Sequence, residues 1–236
     1  MAAVTAETFA RDVETALGAR LEALLLYGSA ARGSHVSRGA GLNTLLVCDT
    51  VDDALFASLE PAVRSWTRAG HPAPLIFTHQ EWQDSSDAFA IEYEEIRQAH
   101  RLLAGRDPWP GIAVRREDLR RQLEFELVGK LVRLRQAYAA VRGDPKRLTE
   151  VVVGSAAGFF TMLRSVLRLS GRAAPAAPDD VVRDAAGLVG FPAAALDDLV
   201  AHVGGRAQLA LTPRDPRAAA YLAIMARTAE FVNGLT

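Results

Sequence analysis

Leu21 to Tyr27 is a short, almost wholly apolar run that stops at Gly28, and about fourteen residues later a second such run extends from Leu42 to Cys48. Runs this short, bounded by turn residues, predict strands buried on both faces. A chain with two of them must build a sheet and cover it twice. The neighbouring segments supply the cover. Thr5 to Leu17 places Phe9, Val13 and Leu17 at helical spacing, with Thr5 and Thr8 near its start. Val51 to Ala69 predicts a second helix, which Pro61 should bend or divide. Pro74 to Thr78 predicts a third short strand. Ala90 to Ile96 also reads as strand, with Glu92, Glu94 and Glu95 set among Ala90, Tyr93 and Ile96.

The pattern changes at Gly105-Arg-Asp-Pro-Trp-Pro-Gly111. Proline and glycine at this density mark a boundary, and the expected division is 1–108 and 109–236. Everything beyond it reads helical. Arg116 to Val141 carries Leu119, Leu123, Leu127, Leu131, Leu134 and Tyr138 at spacings of three and four. Leu148 to Leu169 is apolar nearly all round and should sit centrally. The Ala/Pro stretch 172–178 links it to shorter helices at Asp179–Leu188 and Pro192–His202, and a last helix runs from Pro216 to Phe231. The expected fold is α/β (α+β): a mixed sheet domain followed by an all-α helical bundle.

Composition excludes several classes. Of 236 residues, 50% are hydrophobic and 23% charged, which is globular and not disordered. A net charge of −1 offers no field for nucleic acid or an anionic membrane. One cysteine, Cys48, precludes an internal disulfide framework and fits a reducing compartment. No basic segment followed by an apolar run opens the chain, so a cytoplasmic location is expected. Val151 to Leu169 is interrupted by Ser155, Arg164 and Arg168, which favours a buried bundle helix over a membrane span. The five histidines, His35, His71, His79, His100 and His202, show no metal-ligand spacing.

The segment richest in chemistry is Leu24-Leu-Leu-Tyr-Gly28-Ser29-Ala-Ala-Arg-Gly33, followed by Leu42-Asn43-Thr44-Leu45-Leu46-Val47. Gly28 removes a Cβ from the path of a ligand. Ser29 adds a hydroxyl, and free N–H groups in a following helical turn can receive phosphate oxygens. A strand ending in Gly-Ser, a second strand soon after, and a helical region behind the sheet domain resemble the nucleotidyltransferase superfamily of DNA polymerase beta type. The similarity, over residues 20 to 105, is to the aminoglycoside adenylyltransferases and small bacterial nucleotidyltransferase-domain proteins. It implies nucleotidyl transfer from ATP or another nucleotide with magnesium. That metal is seated by an Asp-x-Asp on the second strand and a third acidic residue on a neighbouring strand.

The chain departs from that pattern. With the apolar residues aligned, the Asp-x-Asp positions fall on Gly41 and Asn43, and one register away on Leu42 and Thr44. Neither register holds a carboxylate. Asp49 lies ~20 Å further along an extended chain from Asn43. Two carboxylates at i and i+2 on a strand share a face and can share a hard cation; an asparagine amide replaces little of that charge. For the third acidic position the resemblance points to Glu92 within Ile91-Glu92-Tyr93, with Glu94 second, although Glu92, Glu94 and Glu95 read equally as a solvated edge.

The resemblance further implies a nucleotide contact set of Gly28, Ser29, Arg32 and Asn43, with Lys130 and Arg133 from the helical part; Arg38 is an additional cation near the turn. Against this, Glu126 and Lys130 also read as an i,i+4 helix pair. Gly129 beside Lys130 costs ~1 kcal/mol in a helix and so suggests close packing or a close ligand. Trp82 and Trp109 read as packing anchors or as an adenine platform. Three functions follow as expectations. The first is a catalytically degenerate nucleotidyltransferase fold kept for binding a nucleotide or a partner. The second is an active enzyme transferring adenylyl groups through Glu92 and Glu94. The third is an antitoxin-like interaction module, pairing with itself or a partner through the apolar bundle.

Overall fold

The computed structural model describes residues 4–32 and 41–235. Arg38, His35 and Gly33 lie outside the described residues. The chain divides into two compact units, Met1–Val114 and Arg115–Thr236, so the boundary falls six residues beyond the expected one. The first unit is mixed α/β and the second is helical throughout.

In the first unit, α1 (Ala6–Leu17) starts at a capping box between Thr5 and Thr8. β1 (Leu21–Tyr27) and β2 (Asn43–Cys48) follow. α2 (Asp53–Arg68) is capped by Asp52 and runs through Pro61 undivided. Arg20 secures the entry to α2, reaching Asp52 at 2.9 Å and Asp49 at 3.4 Å. Asp49 is thereby engaged far from the Gly-Ser turn. β3 is Leu75–Thr78, and α3 (His79–Asp84) starts at a capping box between Thr78 and Glu81. α4 (Ala90–Gln98) and β4 (His100–Gly105) complete the unit.

The strand order is β3-β2-β1-β4. β1 is antiparallel to both β2 and β4, and β3 runs parallel to β2. Alternation along the strands feeds two cores. Leu24, Leu46 and Cys48 pack with Phe9, Val13 and Leu17 of α1 and Leu55, Leu59 and Trp66 of α2. Ala23, Leu25, Leu45 and Val47 pack with Trp82, Tyr93, Ile96 and Ile112. Each large side chain so buried contributes about 1.5–3 kcal/mol.

One expected element is corrected. Ala90 to Ile96 is helix, not strand, because Ala90, Tyr93 and Ile96 recur every third residue and are buried with Ile91. The strand lies just after it, at His100–Gly105, an edge strand too polar to betray itself by alternation.

The second unit contains α5 (Arg116–Val141), α6 (Pro145–Leu169), α7 (Pro178–Val189), α8 (Asp197–Val203) and α9 (Pro216–Asn233). α5 packs on α6 and α9, and α6 also meets α7 and α8. Prolines occupy the first turn of α6, α7 and α9, where no N–H partner is lost. Asp215 caps α9 and is held well below the usual carboxylate range, above all by Arg217. α6 is long and apolar enough to cross a membrane by length and composition, but half of that window is buried in the protein. A core helix passes the same test.

Candidate functional site

Along the face of the sheet under α4, apolar packing gives way to polar residues at one end. The packed part is built on Trp82, which is fully buried, stacks on Tyr93 at 4.2 Å and donates its indole N–H to Pro108 O. Tyr93 donates its hydroxyl to Trp82 O at 2.6 Å. Trp109 meets Trp82 edge-on, with the Arg97 guanidinium 5.2 Å over its ring. These tryptophans are therefore committed to packing.

At the polar end Tyr27 stands between Asn43 on β2 and His100 on β4, each directly opposite it in register, so all three share one face. Gly28 follows in a left-handed conformation, φ +84°, which glycine adopts at no cost. Its N–H donates to Ala99 O at 2.9 Å, and a Cβ there would stand 3.4 Å from the Asn43 amide nitrogen. Ser29 is exposed. The Ala31 and Arg32 N–H groups both donate to Gly28 O at 3.1 Å, so two of the turn's donors face inward, away from any phosphate.

The charged residues around this end come from α4. Arg32 is bonded to Glu95 at 2.7 Å, with side chains only 13% and 14% exposed. Glu94 lies 4.0 Å from Arg97, and Glu92 is exposed. The Tyr27 phenol is pushed upward, first by burial and then by the negative charge of Glu92, so Glu92 is within electrostatic reach of Tyr27. Because α4 is a helix, Glu92 and Glu94 project about 200° apart and do not form the shared pair that a strand would provide.

The fit to a magnesium ion can be tested at each candidate position. Gly41 has no room for a side chain: its Cβ would stand 2.5 Å from Pro72 Cδ and 2.9 Å from Gly70 O. Leu42 packs into the α1/α2 core, and Thr44 is buried on that same side. Only Asn43 faces the polar end, and it is neutral. Across all four strands the sole carboxylate is Glu22, near the opposite end of β1 and hydrogen-bonded to His79 at 2.7 Å. Among the described residues no group of three or more His, Cys, Asp or Glu is placed to hold a metal. These residues do not fit the ion.

Lys130 and Arg133 lie in the second unit, on α5. Lys130 pairs with Glu126 at 3.7 Å and passes 3.6 Å from where a Gly158 Cβ would be. The Arg133 guanidinium lies 3.4 Å from the position of a Gly129 Cβ. A side chain at Gly129 would meet only that flexible guanidinium at ordinary contact distance, so packing within the unit does not require the glycine. The first unit brings together Gly28, Ser29, Arg32, Asn43 and Glu92. Tyr27, Glu95 and His100 belong with them and are not evident in the sequence, because Tyr27 reads as the end of an apolar run and Glu95 finds its partner 63 residues away.

No family model matches the chain, and no curated protein matches it.

Proposed function

We propose that the first unit is a nucleotidyltransferase-like fold without nucleotidyl-transfer activity, kept as a binding module, with Tyr27, Asn43 and Ser29 as its ligand-facing groups. One observation carries this reading: a strand-turn unit ending in Gly28-Ser29 lies beside a second strand that holds no carboxylate. Nucleotidyl transfer depends on metal ions that offset charge on the phosphates, and a lone amide gives no such ion a seat. The charge balance agrees. Glu92, Glu94 and Glu95 outnumber Arg32 and Arg97 around the sheet end, and Arg32 is already spent on Glu95. Hydrogen bonding from a phenol, an amide and a hydroxyl suits a polar ligand better than a bare triphosphate.

Incubation with each labelled nucleotide and candidate acceptors, with magnesium, tests the proposal. No transfer is expected. Any heat of ATP binding measured by calorimetry should be the same with and without magnesium. Transfer that vanishes in Glu92→Gln, or binding that strictly requires magnesium, overturns the reading.

A further inference from the structure

The outer face of α5 carries an apolar stripe. Phe125 is 76% exposed, and Val128 and Val132 are each 47% exposed; with Gly129 they follow helical spacing along one side, opposite the buried Leu123, Leu127, Leu131 and Leu134. Exposed apolar side chains in line mark an interaction surface. The charges beside the stripe identify its occupant. On one margin Glu124 is followed by Arg135, and on the other Glu126 is followed by Arg133. In each pair the acid lies toward the N-terminus and the base toward the C-terminus. The midpoint of each pair, and that of Phe125 and Val132, falls within one residue of Gly129.

We propose that two copies of this chain associate through α5, antiparallel, about a two-fold axis at Gly129. A two-fold contact uses the same patch twice, so the patch must complement itself. Turning α5 end for end about Gly129 sets Glu124 against the second copy's Arg135 and Glu126 against its Arg133. Phe125 meets Val132, and the glycine at the crossing lets the backbones approach. A parallel pairing would oppose like charges. Glu124 and Glu126 are already steadied within their own helix, by Arg120 at 2.7 Å and Lys130 at 3.7 Å. Arg133 and Arg135 are exposed and have no ion pair among the described residues. Each copy therefore offers two uncommitted cations to two prepositioned carboxylates. At the N-terminal end of the stripe Arg121 is held 3.5 Å from Asp118, and turning about Gly129 sets it opposite the uncharged Ala137. This pairing is independent of what the sheet end of the first unit binds.

Light scattering and sedimentation of the full chain test it. The wild-type protein is expected to be a dimer and Phe125→Glu a folded monomer with an unchanged helical circular-dichroism spectrum, since the side chain is largely in water. The double variants Glu124→Arg/Glu126→Arg and Arg133→Glu/Arg135→Glu should each raise the dimer dissociation constant at least about tenfold through like-charge opposition. Mixed in equal amounts, they should dimerise again. A monomeric wild type, charge variants that remain dimeric, or a mixture that stays monomeric overturns the proposal. So does a monomeric Phe125→Cys variant whose new thiol is shielded from thiol reagents, since another occupant then covers the stripe.

Discussion

The two faces of the four-stranded sheet are built from the same strands and end differently. The face under α1 and α2 is apolar but for the buried Thr44: Phe9 stacks on Trp66 at 4.4 Å, and Leu24, Leu46 and Cys48 are wholly buried beneath them. The face under α3 and α4 begins the same way, with Trp82 on Tyr93, then changes to Tyr27, Asn43 and His100. Polar groups on strands are costly unless they are bonded or wet. The grouping of Tyr27, Asn43 and His100 at one end of one face sets that end apart from the packing that holds the unit together. The closed face also silences its one thiol: burial pushes Cys48 up to about 11, which leaves it protonated and unreactive at neutral pH.

Substitutions on either side can break that contrast. The largest effect belongs to the closed face. Trp66→Ala removes the ring stacked on Phe9 and its hydrogen bond to Pro72 O, and should cost about 3–5 kcal/mol in chemical denaturation. Next is Gly41→Asp, which tests whether a metal ligand can simply be installed. With Pro72 and Gly70 in the way, overpacking should cost about 1–3 kcal/mol and restore no magnesium binding by calorimetry. Glu95→Gln leaves Arg32 half-buried without its carboxylate. A loss of about 1–2 kcal/mol is expected, between the exposed and fully buried limits; a loss as large as that at Trp66 would make the polar end a structural element.

The smallest effect is spectroscopic. Tyr27 should ionise above the ordinary tyrosine value of about 10. Glu92→Gln should lower its titration point without abolishing the upward shift, because burial is the larger cause. Ultraviolet titration against a Tyr27→Phe control reads this directly. The sign for stability follows. The native state prefers the neutral phenol, so the Tyr27 contribution is complete below about pH 10 and is lost as pH rises through the native value. Tyr27→Phe should leave stability at neutral pH unchanged; a substantial loss would erase the distinction between the faces.

The elements legible in the sequence were those whose burial is one-dimensional. β1, β2 and β3 lie where their apolar runs place them, and α1 starts at the threonine that caps it. Residues 90–96 read as strand because a short helix with four buried positions and interspersed glutamates mimics loose alternation. β4 escaped because it is an edge strand whose neighbour is β1, some 75 residues earlier. The turn at Gly28 and the neutrality of Asn43 were visible as residues. That Glu95 occupies Arg32, that Tyr27 sits between Asn43 and His100, and that Gly41 is closed by the segment at 70–72 depend on contacts between distant parts of the chain. Side-chain type alone does not encode such pairings.

On the proposed reading, the seating of Gly41 against Pro72 makes a loss of catalysis hard to reverse. Any route that gives this sheet a carboxylate at position 41 must also displace the 70–72 turn, so the first of the two changes is harmful until the second arrives. Single-site libraries should therefore recover no transferase from this scaffold. A library that varies the turn together with position 41 is the search with a path through it.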